Sequence, residues 1–122
     1  MMDRRSYRKL DVWQASMKAY REVRALSMRF PAEEKYGLTS QIRRAALSVP
    51  SNIAEGYGRK HRAEYLHHLY MARGSLMECE TQLIAAVQEE LCIRADAVTV
   101  WKTLQINGRL LNGLIASLEI RP

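Results

Sequence analysis

Glu64 and His67 are the side chains in this sequence whose types and spacing best suit catalytic or metal chemistry. On a helix, a spacing of three residues places a carboxylate and an imidazole on one face, as in the Glu-x-x-His motifs of di-iron four-helix bundles. Such a site needs two of these motifs, and the other histidines, His61 and His68, do not complete a second one. The pattern favours solvated helix-face residues over a metal-dependent enzyme, and it predicts no metal and no cofactor.

Other catalytic motifs are also lacking in the sequence. The segment Gly56-Tyr57-Gly58 has neither the third glycine nor the preceding strand of a dinucleotide-binding loop, and it predicts the end of a helix. Cys79 and Cys92 do not form a C-x-x-C pair and lie in or beside apolar helical segments, which is typical of reduced structural thiols. No Ser/His/Asp or Cys/His arrangement can be argued from the spacings. We therefore predict no catalytic residue and no enzyme activity.

Positive charge is the strongest functional signal in the sequence. The chain has 19 Lys and Arg against 13 Asp and Glu, a net charge of +6. Residues 1–60 contain thirteen basic and six acidic residues, whereas residues 61–122 contain six and seven. Such an excess favours anionic partners, either nucleic acid or an acidic protein. The predicted nucleic-acid-binding residues lie off the apolar stripes: Arg4, Arg5, Arg8, Lys9, Arg21, Arg24, Arg59 and Lys60.

Arg73 and Glu80 are two charged residues that share the apolar stripe of one predicted helix, because they are seven positions apart. An unpaired charge there would be costly, so both need partners. The available complements are Glu55 and Asn52 for Arg73, and Arg43 and Arg44 for Glu80. We predict that these six residues form a buried structural network that fixes the register between helices.

The elements that position these residues are all helical by periodicity, and 122 residues suffice for one domain. The predicted helices run from Asp11, an N-cap, to Pro31; from near Thr39 to Gly56 and Gly58; from about His61 to Glu90; and from near Asp96 onward. Short loops favour antiparallel neighbours. We predict an all-α, left-handed, up-down-up-down four-helix bundle spanning residues 1–122, with residues 1–10 as a basic N-terminal arm.

Three residues inside the predicted helices are of types that are unfavourable in a helix interior. Pro50 removes an amide donor and crowds the carbonyl of Ala46, so it predicts a kink in the second helix. Gly74 and Gly108 occupy positions where alanine would be better by about 1 kcal/mol. Each glycine predicts a close approach of another backbone.

The apolar faces of two helices predict both a core and an oligomer. The buried side of the third helix is expected to include Leu66, Leu69, Tyr70, Leu76, Met77, Leu83, Ile84 and Val87. On the first helix, Trp13, Met17 and Tyr20 widen the apolar face beyond what one partner helix covers. We therefore expect the chain to self-associate.

The sequence predicts a cytoplasmic protein without a membrane partner. The first ten residues carry charge but no apolar segment of the kind found in secretory signals. The longest apolar run, from Leu83 to Val87, is far too short to span a bilayer.

Three sequence blocks carry a resemblance to a known family. The blocks QIRRA at residues 41–45, SVPSNIAEG at 48–56 and GSLME at 74–78 resemble the pattern of the 23S rRNA intervening-sequence proteins, which are four-helix bundles. The resemblance extends from Leu10 and the DVWQ segment to the fourth helix. It implies a bacterial cytosolic protein that assembles as a ring-shaped homopentamer, with structural roles for the six residues of the predicted network and no catalytic residue.

A related branch of that family suggests partners. The resemblance extends to the accessory variability determinant of diversity-generating retroelements, a basic pentamer that binds nucleic acid and the element's reverse transcriptase. It implies RNA or DNA as a partner, and a reverse transcriptase if the gene lies in a retroelement. The leading hypothesis is a non-enzymatic nucleic-acid-binding or scaffold protein, and the alternative is a structural protein-protein interaction module.

Overall fold

The computed structural model describes residues 6–120, and the regular structure in that range is entirely helical. Four long helices follow one another: α1 (Asp11–Ser27), α2 (Leu38–Tyr57), α3 (Arg62–Gln88) and α4 (Arg94–Glu119). Short 3-10 turns at Tyr7–Lys9 and Ala32–Glu34 precede α1 and α2. The predicted all-α fold with four helices is confirmed.

The helix starts differ slightly from the predicted ones. Leu10 is the N-cap of α1, so Asp11 is the first helical residue and not the cap. Similarly, α4 begins at Arg94 after an extended Ile93, two residues before the predicted Asp96. Both aspartates therefore lie in a first turn, where a carboxylate interacts favourably with the positive end of the helix dipole.

The four helices pack side by side around one core, with α1 and α3 at diagonally opposite corners of the bundle. Among residues 6–120, α1 and α3 each contact α2 and α4 but not each other. Between α1 and α4, the Asn107 amide donates to the Val12 carbonyl at 3.4 Å, while Arg29, just past α1, pairs with Asp96 at 2.9 Å. These contacts run in opposite order along the two helices, so α1 and α4 are antiparallel.

The core consists of one apolar row from each helix, as the periodicity predicts, but α3 departs from its predicted row. Three expected core residues of α3 are exposed, by 39%, 57% and 46%: Tyr70, Met77 and Ile84. Each directly follows a buried leucine, and one residue turns a helix by about 100°. The core-facing row of α3 is therefore narrower than predicted, and these side chains lie on its outer flank.

Pro50 is buried within α2, and the helix continues across it. Two side chains nearby donate to backbone carbonyls one turn earlier: the Ser51 hydroxyl to Leu47 at 2.9 Å, and the Asn52 amide to Ser48 at 3.0 Å. These bonds tie the polar side chains around Pro50 to the helix. The kink at Pro50 stays a prediction.

Among the glycines of the helices, Gly56 lies closest to a neighbouring helix, and not Gly74 or Gly108, where a close approach was expected. A Cβ atom at Gly56 would lie 2.6 Å from the Cβ of His68 and 3.1 Å from Cδ1 of Tyr65, so α3 leaves no room for a side chain. At Gly74 a Cβ would meet nothing within 4 Å, so the expectation there was wrong. At Gly108 the nearest atom, Cδ2 of Leu76, is 3.4 Å away, at the edge of ordinary contact.

Replacing Gly56 by alanine should therefore destabilise the fold by about 1 to 3 kcal/mol, because the added methyl forces α2 away from α3. The matched control is Gly74→Ala, which adds the same methyl to an open helical position and should stabilise by about 0.5 to 1 kcal/mol. Urea unfolding followed by circular dichroism measures both. Equal shifts for the two variants would contradict the close packing at Gly56.

Candidate nucleic-acid interface

The first group of predicted binding residues lies in the 3-10 turn before α1. Arg8 and Lys9 are exposed there, whereas Arg4 and Arg5 lie outside the described residues. The turn is held in place because the Ser6 hydroxyl accepts from the Arg8 amide at 3.1 Å and the Gln14 side chain donates to the Arg8 carbonyl at 2.8 Å. The two basic side chains thus extend from an ordered turn.

A second group lies on the outer face of α1. The predicted residues Arg21 and Arg24 are exposed, and so is Lys18, which was not predicted; their spacing of three keeps all three within an arc of about 120°. Buried Ala19 and Val23 hold the opposite face of α1 against the core. The outer face of α1 is therefore basic from Lys18 to Arg24, whereas exposed Asp11 lies in the first turn.

The third group, Arg59 and Lys60, is exposed in the loop between α2 and α3. Arg43, near the start of α2, donates from Nε to the Ser27 hydroxyl at the end of α1 at 2.7 Å, so α1 and α2 are antiparallel. The end of α2 and the start of α1 consequently share one end of the bundle. Arg8 and Lys9 therefore lie at the same end as Arg59 and Lys60, which we call the basic end.

A row of hydrogen bonds joins α2 and α3 just inside the basic end. The hydroxyls of Ser48 and Ser75 are 2.9 Å apart, and the Asn52 amide nitrogen lies 3.1 Å from the Ser48 hydroxyl. The amide oxygen of Asn52 lies 3.3 Å from Nδ1 of His68. Ser48 and Asn52 of α2 thus face α3.

A cavity of about 370 Å³ opens beside this row at the surface. It is lined by Arg59, Ala63, Glu64, His67 and His68. Arg59 was predicted to bind nucleic acid, whereas the histidines were interpreted only as metal ligands or solvated residues. The clustering of all three histidines of the chain within residues 61–68, next to Arg59 and Lys60, is the signal that could have identified them as part of a basic site.

Arg73 and Glu80 find partners on α4, not the partners that were predicted. Nη1 of Arg73 donates to the Asn112 side chain at 3.3 Å, and its guanidinium lies 5.3 Å from the centre of the Tyr70 ring. Glu80 accepts from the Gln105 amide at 2.8 Å. Both charged residues are half-buried, and both hydrogen bonds connect α3 to α4.

The seven-residue spacing of Gln105 and Asn112 matches that of Arg73 and Glu80, in reverse order, as expected for antiparallel helices. This match is the signal that would have identified the partners. The remaining predicted members are separate: Arg43 bonds to α1, Asn52 bonds within α2 and to α3, and Arg44 and Glu55 are exposed. The predicted single network is thus replaced by contacts at three helix interfaces.

Cys79 is fully buried in the core. Burial, with smaller contributions from Glu80 and Glu78, raises the pKa of Cys79 to about 12 and keeps the thiol protonated.

Within residues 6–120, no three His, Cys, Asp or Glu side chains converge as metal ligands would. In the same range, no helix has the length and apolar character required to cross a membrane.

Comparison with known proteins identifies the family and the fold. A family model described as 23S rRNA-intervening sequence protein matches residues 8–113, so the predicted family resemblance is confirmed. The chain is also similar to a crystal structure from Bacteroides thetaiotaomicron, a protein of unknown function from the S23 ribosomal protein family. The TM-score is 0.79 at 23% identity, covering 85% of this chain and 97% of that one. No curated protein matches the sequence.

Proposed function

We propose that this chain, which belongs to the 23S rRNA-intervening sequence protein family, is a non-enzymatic protein that binds RNA or DNA through its basic surface. The observation that supports this function is the position of the predicted basic residues. The six that the structure describes are all exposed, and they occupy two continuous regions, the basic end and the outer face of α1. Arginine and lysine at such positions can reach phosphate groups without disturbing the core.

The distribution of charge further favours a polyanion over a small ligand. The net charge of +6 arises in the half of the chain that contains α1 and α2, whereas residues 61–122 are nearly neutral. Several basic groups spread over one side of the bundle can contact successive phosphates of one strand and release their counterions. Binding of this kind depends weakly on base sequence and strongly on salt.

The exposed apolar side chains support self-association on a different side of the molecule. They concentrate on α3 and α4: Tyr70, Met71, Met77, Ile84, Val98, Ile106 and Leu110. By contrast, Trp13, Met17 and Tyr20, which were expected to drive assembly, are half-buried. These residues lie on α3 and α4, whereas the exposed basic residues lie on α1 and at the basic end, so the two proposed surfaces share no helix face.

We further propose that the assembly is a homo-oligomer, a pentamer by family resemblance. The same apolar residues favour the second candidate function, a protein-protein interaction module in which the basic charge has no ligand. The two candidates differ in one measurable respect, because only the first requires the basic surface to bind a polyanion.

A labelled single-stranded oligonucleotide should bind to the wild-type protein, with the logarithm of the affinity falling as the logarithm of salt concentration rises. Each phosphate contact contributes a slope of about −0.7. The Arg21→Ser/Arg24→Ser variant should weaken binding and, if both contacts are lost, flatten the slope by about 1.4. Fluorescence anisotropy at several salt concentrations measures both effects.

The matched control is Lys35→Ser/Arg44→Ser, which removes two exposed positive charges near the end of the bundle opposite the basic end. It should keep the wild-type slope. Absence of binding at low salt, or an affinity independent of salt, would refute the nucleic-acid function and favour the interaction module.

Self-association should give a mass several times the 14.1 kDa of one chain in size exclusion with light scattering. The Met77→Lys/Ile84→Lys variant should reduce this mass, because it places two charges on the outer flank of α3. The control Met28→Lys changes a 73% exposed apolar residue at the end of α1 and should leave the mass unchanged. A monomeric wild-type protein at micromolar concentration would contradict the proposal.

A further inference from the structure

One hydrogen bond within α2 and one contact with α3 fix the orientation of the Asn52 side chain. The backbone carbonyl of Ser48 can only accept, so the Asn52 atom 3.0 Å away from it must be the amide nitrogen. The other end of the amide, its oxygen, is therefore the atom that faces Nδ1 of His68 at 3.3 Å. Because that oxygen can only accept, Nδ1 of His68 carries a proton.

The proton on Nδ1 determines which hydrogen bonds the other ring nitrogen of His68, Nε2, can make. A neutral imidazole has a single N–H group, so a neutral His68 with its proton on Nδ1 has only an acceptor at Nε2. A protonated ring has N–H groups on both nitrogens, and Nε2 then becomes a charged donor. Protonation of the ring therefore changes Nε2 from an acceptor to a donor for an anion.

His68 lines the surface cavity at the basic end together with basic, acidic and imidazole groups. Arg59 contributes from the loop, and Glu64 and His67 contribute from α3. The ring centres of His67 and His68 are 5.9 Å apart. On the α2 side His68 packs against Asn52 and Gly56, neither of which titrates. The cavity thus combines one permanent cation and two imidazoles, opposed by one carboxylate.

We infer that this cavity is a phosphodiester-binding subsite, in which Arg59 and protonated His68 hold one backbone phosphate of a bound strand. The inference rests on the proposed nucleic-acid function and adds to it a phosphate contact that depends on the protonation of His68. A neutral His68 presents an acceptor that repels phosphate oxygens, so occupation of the subsite is coupled to proton uptake by His68. The like charge of Glu64 on the cavity wall opposes the phosphate and limits the affinity.

The coupling predicts that an unstructured, labelled oligonucleotide binds more tightly at pH 6 than at pH 8, at constant ionic strength. The contribution of His68 should be about tenfold, the size expected for one charge-assisted hydrogen bond. The His68→Gln variant keeps a polar side chain beside Asn52 but cannot take up a proton, so it should lose most of this gain.

His61→Gln is the matched control. His61 is an exposed histidine that directly precedes α3 and does not line the cavity. It should keep most of the pH dependence. Glu64→Gln provides an independent test that leaves His68 in place. It should tighten binding severalfold at both pH values, because it removes the negative charge that faces the phosphate.

Inorganic phosphate, tested as a competitor against chloride at equal ionic strength, distinguishes a site for free phosphate from one for a strand. Weak competition, seen only at concentrations far above that of the oligonucleotide, is expected for a subsite of a longer groove. Displacement at comparable concentrations would overturn the strand assignment.

Equal loss of pH dependence in His61→Gln and His68→Gln, or an unchanged affinity in Glu64→Gln, would also overturn the subsite. If His68→Gln does not fold, Glu64→Gln decides the question alone. Failure of the wild-type protein to bind at either pH would instead refute the proposed function itself, so the two failures can be told apart.

Discussion

The contact between α2 and α3 at Gly56 is the constraint on which the basic end of this protein depends. With no side chain at Gly56, the end of α2 approaches the first turns of α3 so closely that the missing Cβ would overlap that of His68. The loop that joins these two helix ends contains Arg59 and Lys60 and is only a few residues long. Close packing here therefore determines where the loop and its charges lie.

The same contact also sets the polar chemistry between the two helices. At this separation Asn52 can bond to the backbone of its own helix and to the ring of His68 on the other. Ser48 and Ser75 extend this row toward the middle of the bundle. Hydrogen-bonding groups that are shielded from water are costly when unpaired, so this half-buried row favours one register of α2 against α3. The close packing at Gly56 and this row of polar side chains therefore act together to hold the start of α3 against the end of α2.

Sequence periodicity predicted the helices and most of the core, because burial of an amphipathic face is a local property of each helix. It failed on the flank of α3, since the pattern of Leu69, Leu76 and Leu83 does not show whether the following residue is covered. Whether Met77 is exposed depends on the distance and angle of α4, which are properties of the assembled bundle.

The polar contacts were predictable only in part. Arg73 and Glu80 were rightly expected to need partners, but the partners depend on which neighbouring helix lies opposite, and the candidates considered were on α2 instead of α4. Gly56 was interpreted as a helix end, whereas its main role is the approach to His68. Exposure of the described arginines that were predicted to bind nucleic acid, such as Arg21 and Arg24, followed directly from their positions off the apolar stripes.

The imidazole tautomer of His68 tests the central claim most directly, because it reports the α2–α3 contact and the chemistry of the cavity together. Nitrogen-15 NMR of histidine-labelled protein, at a pH where the rings are neutral, distinguishes a proton on Nδ1 from one on Nε2, with the exposed His61 as an internal reference. The structure predicts that His68 carries its proton on Nδ1, bonded to Asn52. A neutral His68 protonated on Nε2 would contradict the account.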